Sequence, residues 1–155
     1  MTKTCCVTGH RNLPVEIETI IRPKLHKEVQ TAIEGGYTHF IGGFASGVDL
    51  MFAEIVVELK NHYPITLEAA IPYTGRLNTP DTEFQRLVGR CDILKVHSER
   101  YFKGCFMRRN RYMIDASHQV IAIYDGRGTG GTVATVQYAK RKGLPICMID
   151  IKSIK

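Results

Sequence analysis

The chain is expected to fold as a three-layer α/β/α domain around a mostly parallel, doubly wound sheet, and three observations predict it. Short apolar runs rich in β-branched residues alternate with helical stretches of roughly a dozen residues, the periods of strand and helix in turn. Glycine clusters fall just after several of the apolar runs, where a parallel sheet gathers its strand ends on one edge. The 155 residues, 44% hydrophobic and 23% charged, suit one self-sufficient core.

The first strand is expected over residues 3–8. After Pro14 a long helical pattern runs to Gly35 and Gly36, a helix stop signal. Further strands are expected over residues 38–41, 66–71, 93–96, 119–124 and 145–149, with a helix over 46–60 between the second and third. Right-handed crossovers then cover both faces of the sheet, a Rossmann-like arrangement in which residues 1–155 form a single domain. Residues 72–90 and 98–103 are polar and turn-rich and read as flaps beside the site. No repeat, low-complexity tract or linker divides the chain.

No run approaches the ~18 apolar residues of a membrane span, and the N-terminus enters a strand pattern without the build of a signal peptide. A cytoplasmic protein with no membrane partner is therefore expected. Cys5, Cys6, Cys91, Cys105 and Cys147 include no C-x-x-C pair and read as reduced core thiols. No metal-ligand spacing appears near the glycine loops, so neither a metal nor a required cofactor is expected. The formal charge of +6 suits an anionic ligand and also permits nucleic acid, without choosing between them.

Three constellations carry chemistry. Gly42-Gly43-Phe44-Ala45-Ser46-Gly47-Val48-Asp49 leads from a strand into a helix, with Ser46 or Asp49 available as cap or first-turn acid and glycines that let backbone N–H groups approach a phosphate. Asp125-Gly126-Arg127-Gly128-Thr129-Gly130-Gly131-Thr132 does the same after the fifth strand, adding two threonine hydroxyls and an arginine. It lacks the order and lysine of a Walker loop, and neither turn is a standard dinucleotide fingerprint. In the third, Arg109 and Asn110 can fork an anion from the crevice side of a helix, while Arg111 and Asp115 have i,i+4 spacing for a surface pair. Gly9, His10 and Arg11, just after the first strand, complete the group of expected ligand contacts.

The helix over 46–60 carries two apolar stripes: Val48, Phe52, Ile55 and Leu59 on one, Leu50, Ala53 and Val57 on the other. One stripe faces the core. The second is expected to pack against another copy of the chain in a two-fold dimer.

Taken in order, T-G-H-R from Thr8, G-G-x-x-x-G-V-D from Gly42, M-R-R-N-R-Y-M-I-D-A-S-H from Met107 and G-x-G-G-T from Gly128 resemble the SLOG superfamily, most closely its YpsA-like branch. The resemblance runs from Thr8 to Pro145. It implies a nucleotide or nucleotide-derived ligand of ADP-ribose or phosphoribosyl type, its phosphate near Gly130, Gly131 and Thr132. The superfamily also holds DNA-processing proteins and the LONELY GUY phosphoribohydrolases. The latter share an R-K-x-x-M segment and a G-T-x-x-E turn. Here Arg109 and Met113 keep part of the first, but Asn110 stands where the lysine would be and Thr135 where the glutamate would be.

N-glycosidic cleavage needs a carboxylate to steady the oxocarbenium-like centre or activate water. Thr135 can do neither, which leaves Asp49, Asp125 or Glu54 as substitutes, assigns no catalytic residue and favours a sensor or regulator over an enzyme. Two alternatives stand beside it: a nucleoside-phosphate N-glycosidase using a displaced carboxylate, and a single-stranded DNA-binding protein using Arg108, Arg109 and Arg111. The last ranks behind because the sequence is expected to lack interleaved exposed aromatics and an added winged or helix-turn-helix module.

Overall fold

A computed structural model describes residues 2–151, apart from 127 and 129. The elements run β1 (Lys3–Gly9), α1 (Val15–Glu34), β2 (Tyr37–Gly42), α2 (Val48–Leu59), β3 (Thr66–Ile71), α3 (Thr82–Val88), β4 (Ile93–Val96), α4 (Cys105–Asp115), β5 (Gln119–Tyr124), α5 (Gly131–Arg141) and β6 (Ile146–Asp150). The sheet order is β4-β3-β2-β1-β5-β6 and every pairing is parallel. The doubly wound Rossmann-like expectation therefore holds, with a sheet that is wholly parallel. Strand order reverses at β1, which has β2 on one side and β5 on the other. Beyond the C-terminal ends of β1 and β5 the loops diverge, and a crevice opens between them.

Alternating side chains divide the core. Cys5, Val7, Leu67, Ala69, Ile71, Ile121 and Ile123 face α1, α2 and α3, meeting Ile21, Leu25 and Val29 of α1 and Phe52 and Ile55 of α2. Cys6, Ile41, Ala70 and Val120 face the other layer, meeting Met113 and Ile114 of α4 and Ala139 of α5. The central strands are buried on both faces, which is why they read as continuous apolar runs.

Two expectations change here. Residues 72–90 are not a plain loop: a 3-10 turn (Thr74–Asn78) precedes α3, whose N-cap Asp81 accepts the backbone N–H groups of Glu83 and Phe84 at 3.0 and 3.3 Å. Phe84 and Leu87, three apart, are fully buried and hold α3 against α2. The second apolar stripe of α2 is also accounted for within one chain. Because α2 lies against both α1 and α3, Ala53 is buried and Leu50 and Val57 are partly buried against the same core. Much of the surface that suggested a second copy is thus covered by α1 and α3, while Leu50 and Val57 keep part of theirs.

The thiols sit in or against the core. Burial pushes the Cys6 thiol up to about 12, and burial with the Glu28 carboxylate does the same to Cys147, so thiolate is scarce at neutral pH. Among the described residues no helix is long and apolar enough to cross a membrane.

A polar network ties α4 to β3. Glu68, buried, accepts from Tyr112 Oη and lies 2.9 Å from His39 Nε2, while His97 stacks on Tyr112 with ring centroids 4.3 Å apart. Burial pushes the Glu68 carboxyl upward, but its bonds to His39 and Tyr112 prevail and its pKa is lowered. Burial, then the Lys95 and Arg109 charges, lower that of His97, whose Nε2 is buried without a hydrogen-bond partner. Both groups take up protons more readily when unfolded, so both favour the fold at neutral pH and lose that contribution in acid. The melting temperature is expected to fall as pH drops below about 6.5, where His97 titrates first, and again below about 4.5 for Glu68. Melting curves of His97→Phe should flatten the first limb and leave the second; an unchanged first limb would reject the assignment.

Candidate functional site

The crevice at the β1/β5 switch is a cleft of about 320 Å3. Its walls bring together Gly9, His10 and Arg11 from the β1 loop, Asp49 from α2, Arg109 and Asn110 from α4, and Gly130, Gly131 and Thr132 from the start of α5. Nine of the fifteen residues expected at the site thus line one cavity, though they come from four separate stretches of chain.

The α5 N-terminus is the part best suited to an anion. Gly130 occupies the N-cap with φ 115°, and no side chain among the described residues caps the helix. No acidic residue lies in its first turn, and a Cβ on Gly131 would meet nothing within 4 Å. First-turn N–H groups without an acceptor among the described residues, and the positive end of the helix dipole, therefore face the cleft. Thr132 is buried beside them. One turn further, Thr135 Oγ1 donates to the Gly131 carbonyl at 2.8 Å and accepts Asn110 Nδ2 at 3.0 Å. The two residues that depart from the phosphoribohydrolase pattern are thus bonded to each other, a neutral pair across α4 and α5.

The α2 turn is different. Asp49 is buried and accepts the Ala45 N–H at 3.1 Å, and the Val48 N–H reaches the His10 carbonyl at 3.3 Å. Its donors are partly satisfied from within, and a carboxyl already occupies its first turn. Gly47 rather than Ser46 is the N-cap, and Asp49 is the first-turn acid of α2, as expected.

Arg109, only 3% exposed, is the pillar of the site. Its Nη1 donates to the carbonyls of Gly43 at 2.7 Å and Ala70 at 3.0 Å, clamping the ends of β2 and β3, and its Nε donates to Asn110 Oδ1 at 2.9 Å. Nη2 has no hydrogen-bond partner among the described residues. A Cβ on Gly43 would lie 2.8 Å from Arg109 Cζ and 2.9 Å from Asp49 Oδ2, so glycine is what lets this pair approach the backbone. Burial pushes the Asp49 carboxyl up, and Arg109, the Ala45 amide, Arg11 and Arg76 offset only part of that.

The remaining expected residues lie around this centre. Gly43 and Ser46 line a smaller adjoining hollow. Gly42 packs under Phe52 and Phe44 and lines neither cavity. The Asp125 N–H donates to His10 Nε2 at 3.2 Å, and Asp125 Oδ1 lies 3.3 Å from the same nitrogen, so Asp125 sets the His10 ring. Gly128 is exposed, and Arg127 and Thr129 lie outside the described residues. The Arg111–Asp115 pair does not form: Asp115 accepts from Tyr138 Oη at 2.8 Å and lies 3.7 Å from Lys142 Nζ.

Sequence reasoning missed Asn12, which lines the cleft, and Arg76, which lines the adjoining hollow. It also missed Phe44, fully buried at φ 57° between the glycines and Ser46. The judgement on aromatics is corrected as well. Tyr101 is 61% exposed, and Tyr73, Tyr101 and Phe106 meet edge to face beside Arg11, with Phe102 and Arg108 adjoining. Scattered through the sequence, these rings gather only because the β3 and β4 loops and α4 meet at one rim.

The YspA SLOG family model matches residues 5–154. A UPF0398 protein of Bacillus cereus (strain B4264) is 24% identical over 91% of this chain and 84% of its own length. Among solved structures, DNA processing protein A of Streptococcus pneumoniae superposes with a TM-score of 0.69 at 18% identity, over 94% of this chain and 49% of that one. The Helicobacter pylori protein of the same name, described for its single-stranded DNA binding mode, gives 0.68 at 18% identity, over 93% of this chain and 63% of that one. The present chain thus spans about half to two thirds of those two proteins, and the likeness is one of fold.

Proposed function

The chain belongs to the YspA SLOG family, and from that premise we propose that it binds a phosphate-bearing, nucleotide-derived small molecule in the β1/β5 cleft and acts as a sensor or regulator. The observation that carries this reading is the N-terminus of α5, capped by no described side chain, with no acidic residue in its first turn and opening on a cavity of ligand size. The neutral Asn110–Thr135 pair supports binding over hydrolysis, since it puts no carboxylate where the glycosidic carbon of a phosphate-anchored ligand would lie. A thermal-shift panel of AMP, ADP-ribose and ribose 5-phosphate tests it. A ligand at 100 times its Kd adds about 2.7 kcal/mol, which raises the melting temperature by roughly 5–10 °C for a chain this size. No shift with any of the three would overturn the reading.

Asp49 favours one second reading. A buried carboxyl at the cleft wall, its pKa raised by burial, is placed to serve as a general acid. If the protein is an N-glycosidase, incubation with AMP releases ribose 5-phosphate and Asp49→Asn abolishes the release. If it only binds, Asp49→Asn is expected to tighten anion affinity several-fold by removing an opposing charge, and AMP is recovered intact.

A further inference from the structure

Beside the main cleft, joined to it through Arg11, Ala45 and Arg109, lies the smaller hollow of about 160 Å3. Three guanidinium groups reach it from separate parts of the chain: Arg11 after β1, Arg76 from the 3-10 turn after β3, and Arg109 from α4. Each is held by contacts that fix its direction without neutralising its charge. The Arg11 guanidinium lies 4.8 Å from the Phe106 ring centroid. That of Arg76 lies 4.5 Å from the Phe84 centroid, and its Nη2 donates to the Phe44 carbonyl at 3.2 Å. Arg109 is fixed on the carbonyls of Gly43 and Ala70.

Among the described residues none of the three has a carboxylate within ion-pair distance. The one carboxyl near all three, Asp49, is buried and pairs with none of them at ion-pair distance, and burial raises its pKa against their charges. Arg109 shows the strain of the arrangement: burial first, then Arg11 and Arg76, pull its pKa down while Asp49 partly restores it. Unrestrained surface arginines would splay into water. Here aromatic rings and backbone carbonyls hold three like charges together around a cavity, an arrangement that a bound anion completes.

The geometry points to a second anion subsite made by Arg11, Arg76 and Arg109, so that the ligand carries two separated anionic groups, one here and one at the α5 N-terminus. This rests on the cleft reading above and narrows it to a sugar bisphosphate, or a nucleotide derivative whose two phosphates sit on separate positions.

The test is calorimetric titration of the full chain, at fixed ionic strength, with ribose 5-phosphate, ribose 1,5-bisphosphate and a ten-residue oligothymidylate. The bisphosphate is expected to bind about tenfold or more tighter than the monophosphate, as charge-assisted contacts to a second phosphate require. Arg76→Gln should shrink that ratio to below about threefold, with Arg76→Lys between. Should Arg76→Gln fail to fold because Phe84 loses its neighbour, Arg11→Gln on the exposed loop reads the same ratio. Equal affinity for the two sugars overturns the second subsite and leaves the cleft reading standing; binding of neither overturns the second subsite, and with AMP and ADP-ribose silent as well it overturns the cleft reading too. Tighter binding of the oligothymidylate than of the bisphosphate, lost in Arg76→Gln, would give the subsite to a strand phosphate and overturn the small-ligand inference.

Discussion

Gly47→Ala is expected to lower the melting temperature by about 10 °C and to remove ligand binding with it. Gly47 has φ 82° and ψ −125°, a backbone region that only glycine occupies without strain. A Cβ there would lie 2.2 Å from the Arg11 carbonyl oxygen and 2.7 Å from that of His10. These are backbone atoms, and the His10 carbonyl also accepts the Val48 N–H, so the obstacle cannot rotate away as a side chain could. Conformational strain and overpacking together come to about 4 kcal/mol, and each kcal/mol lowers the melting temperature of a chain this size by roughly 2–4 °C. Relief requires moving the β1 loop, which carries His10 and Arg11 out of the cleft. Circular dichroism melts compare it with Gly131→Ala, whose new methyl meets nothing within 4 Å. That control is expected to stay within about 0.5 kcal/mol of the parent. A Gly47→Ala melt within about 2 °C of the parent would reject the account.

The same position shows what the sequence could disclose. Its glycines marked where strands end, because a parallel sheet collects its turns on one edge; hence Gly9, Gly130 and Gly131 fell into one cleft as expected. What the pattern could not separate was a glycine that admits a ligand from one that admits the protein's own atoms. Gly43 and Gly47 are of the second kind, making room for Arg109 and for the β1 loop. Strand bounds over residues 66–71, 93–96 and 119–124 were legible because both faces of those segments or their flanking turns are plain in the residue pattern. The helix α3 was not, since seven residues carry only one buried pair and an aspartate cap. The layer neighbours of α2 lay beyond reach for another reason: a second apolar stripe looks the same whether another helix or another subunit covers it. Arg76 stayed hidden because it belongs to a turn with no periodicity and gains meaning only beside Arg11 and Arg109.

Arg109→Ala is the second large effect, expected at about 3–5 kcal/mol, the range for removing one partner from a buried charged cluster. The loss has separable parts. The carbonyls of Gly43 and Ala70 give up a charged donor, and the ends of β2 and β3 lose the clamp between them. Asn110 Oδ1 loses its partner, which loosens the bond from Asn110 to Thr135 and with it the contact between α4 and α5 at the cleft. Asp49 is left with its strongest stabilising charge removed, and its pKa is driven further up. That last part can be isolated. With Asp49→Asn already in place there is no buried charge to strand, so Arg109→Ala should cost about 1 kcal/mol or more less than it does in the parent. Arg109→Lys keeps the charge but cannot span two carbonyls and Asn110 with one ammonium, and it should fall between. Urea unfolding of the four chains of the Asp49/Arg109 cycle reads the coupling directly. Strict additivity would show that Arg109 serves the fold through its carbonyl contacts alone, whereas the expected coupling ties the stability of the strand ends to the charge balance of the site they form.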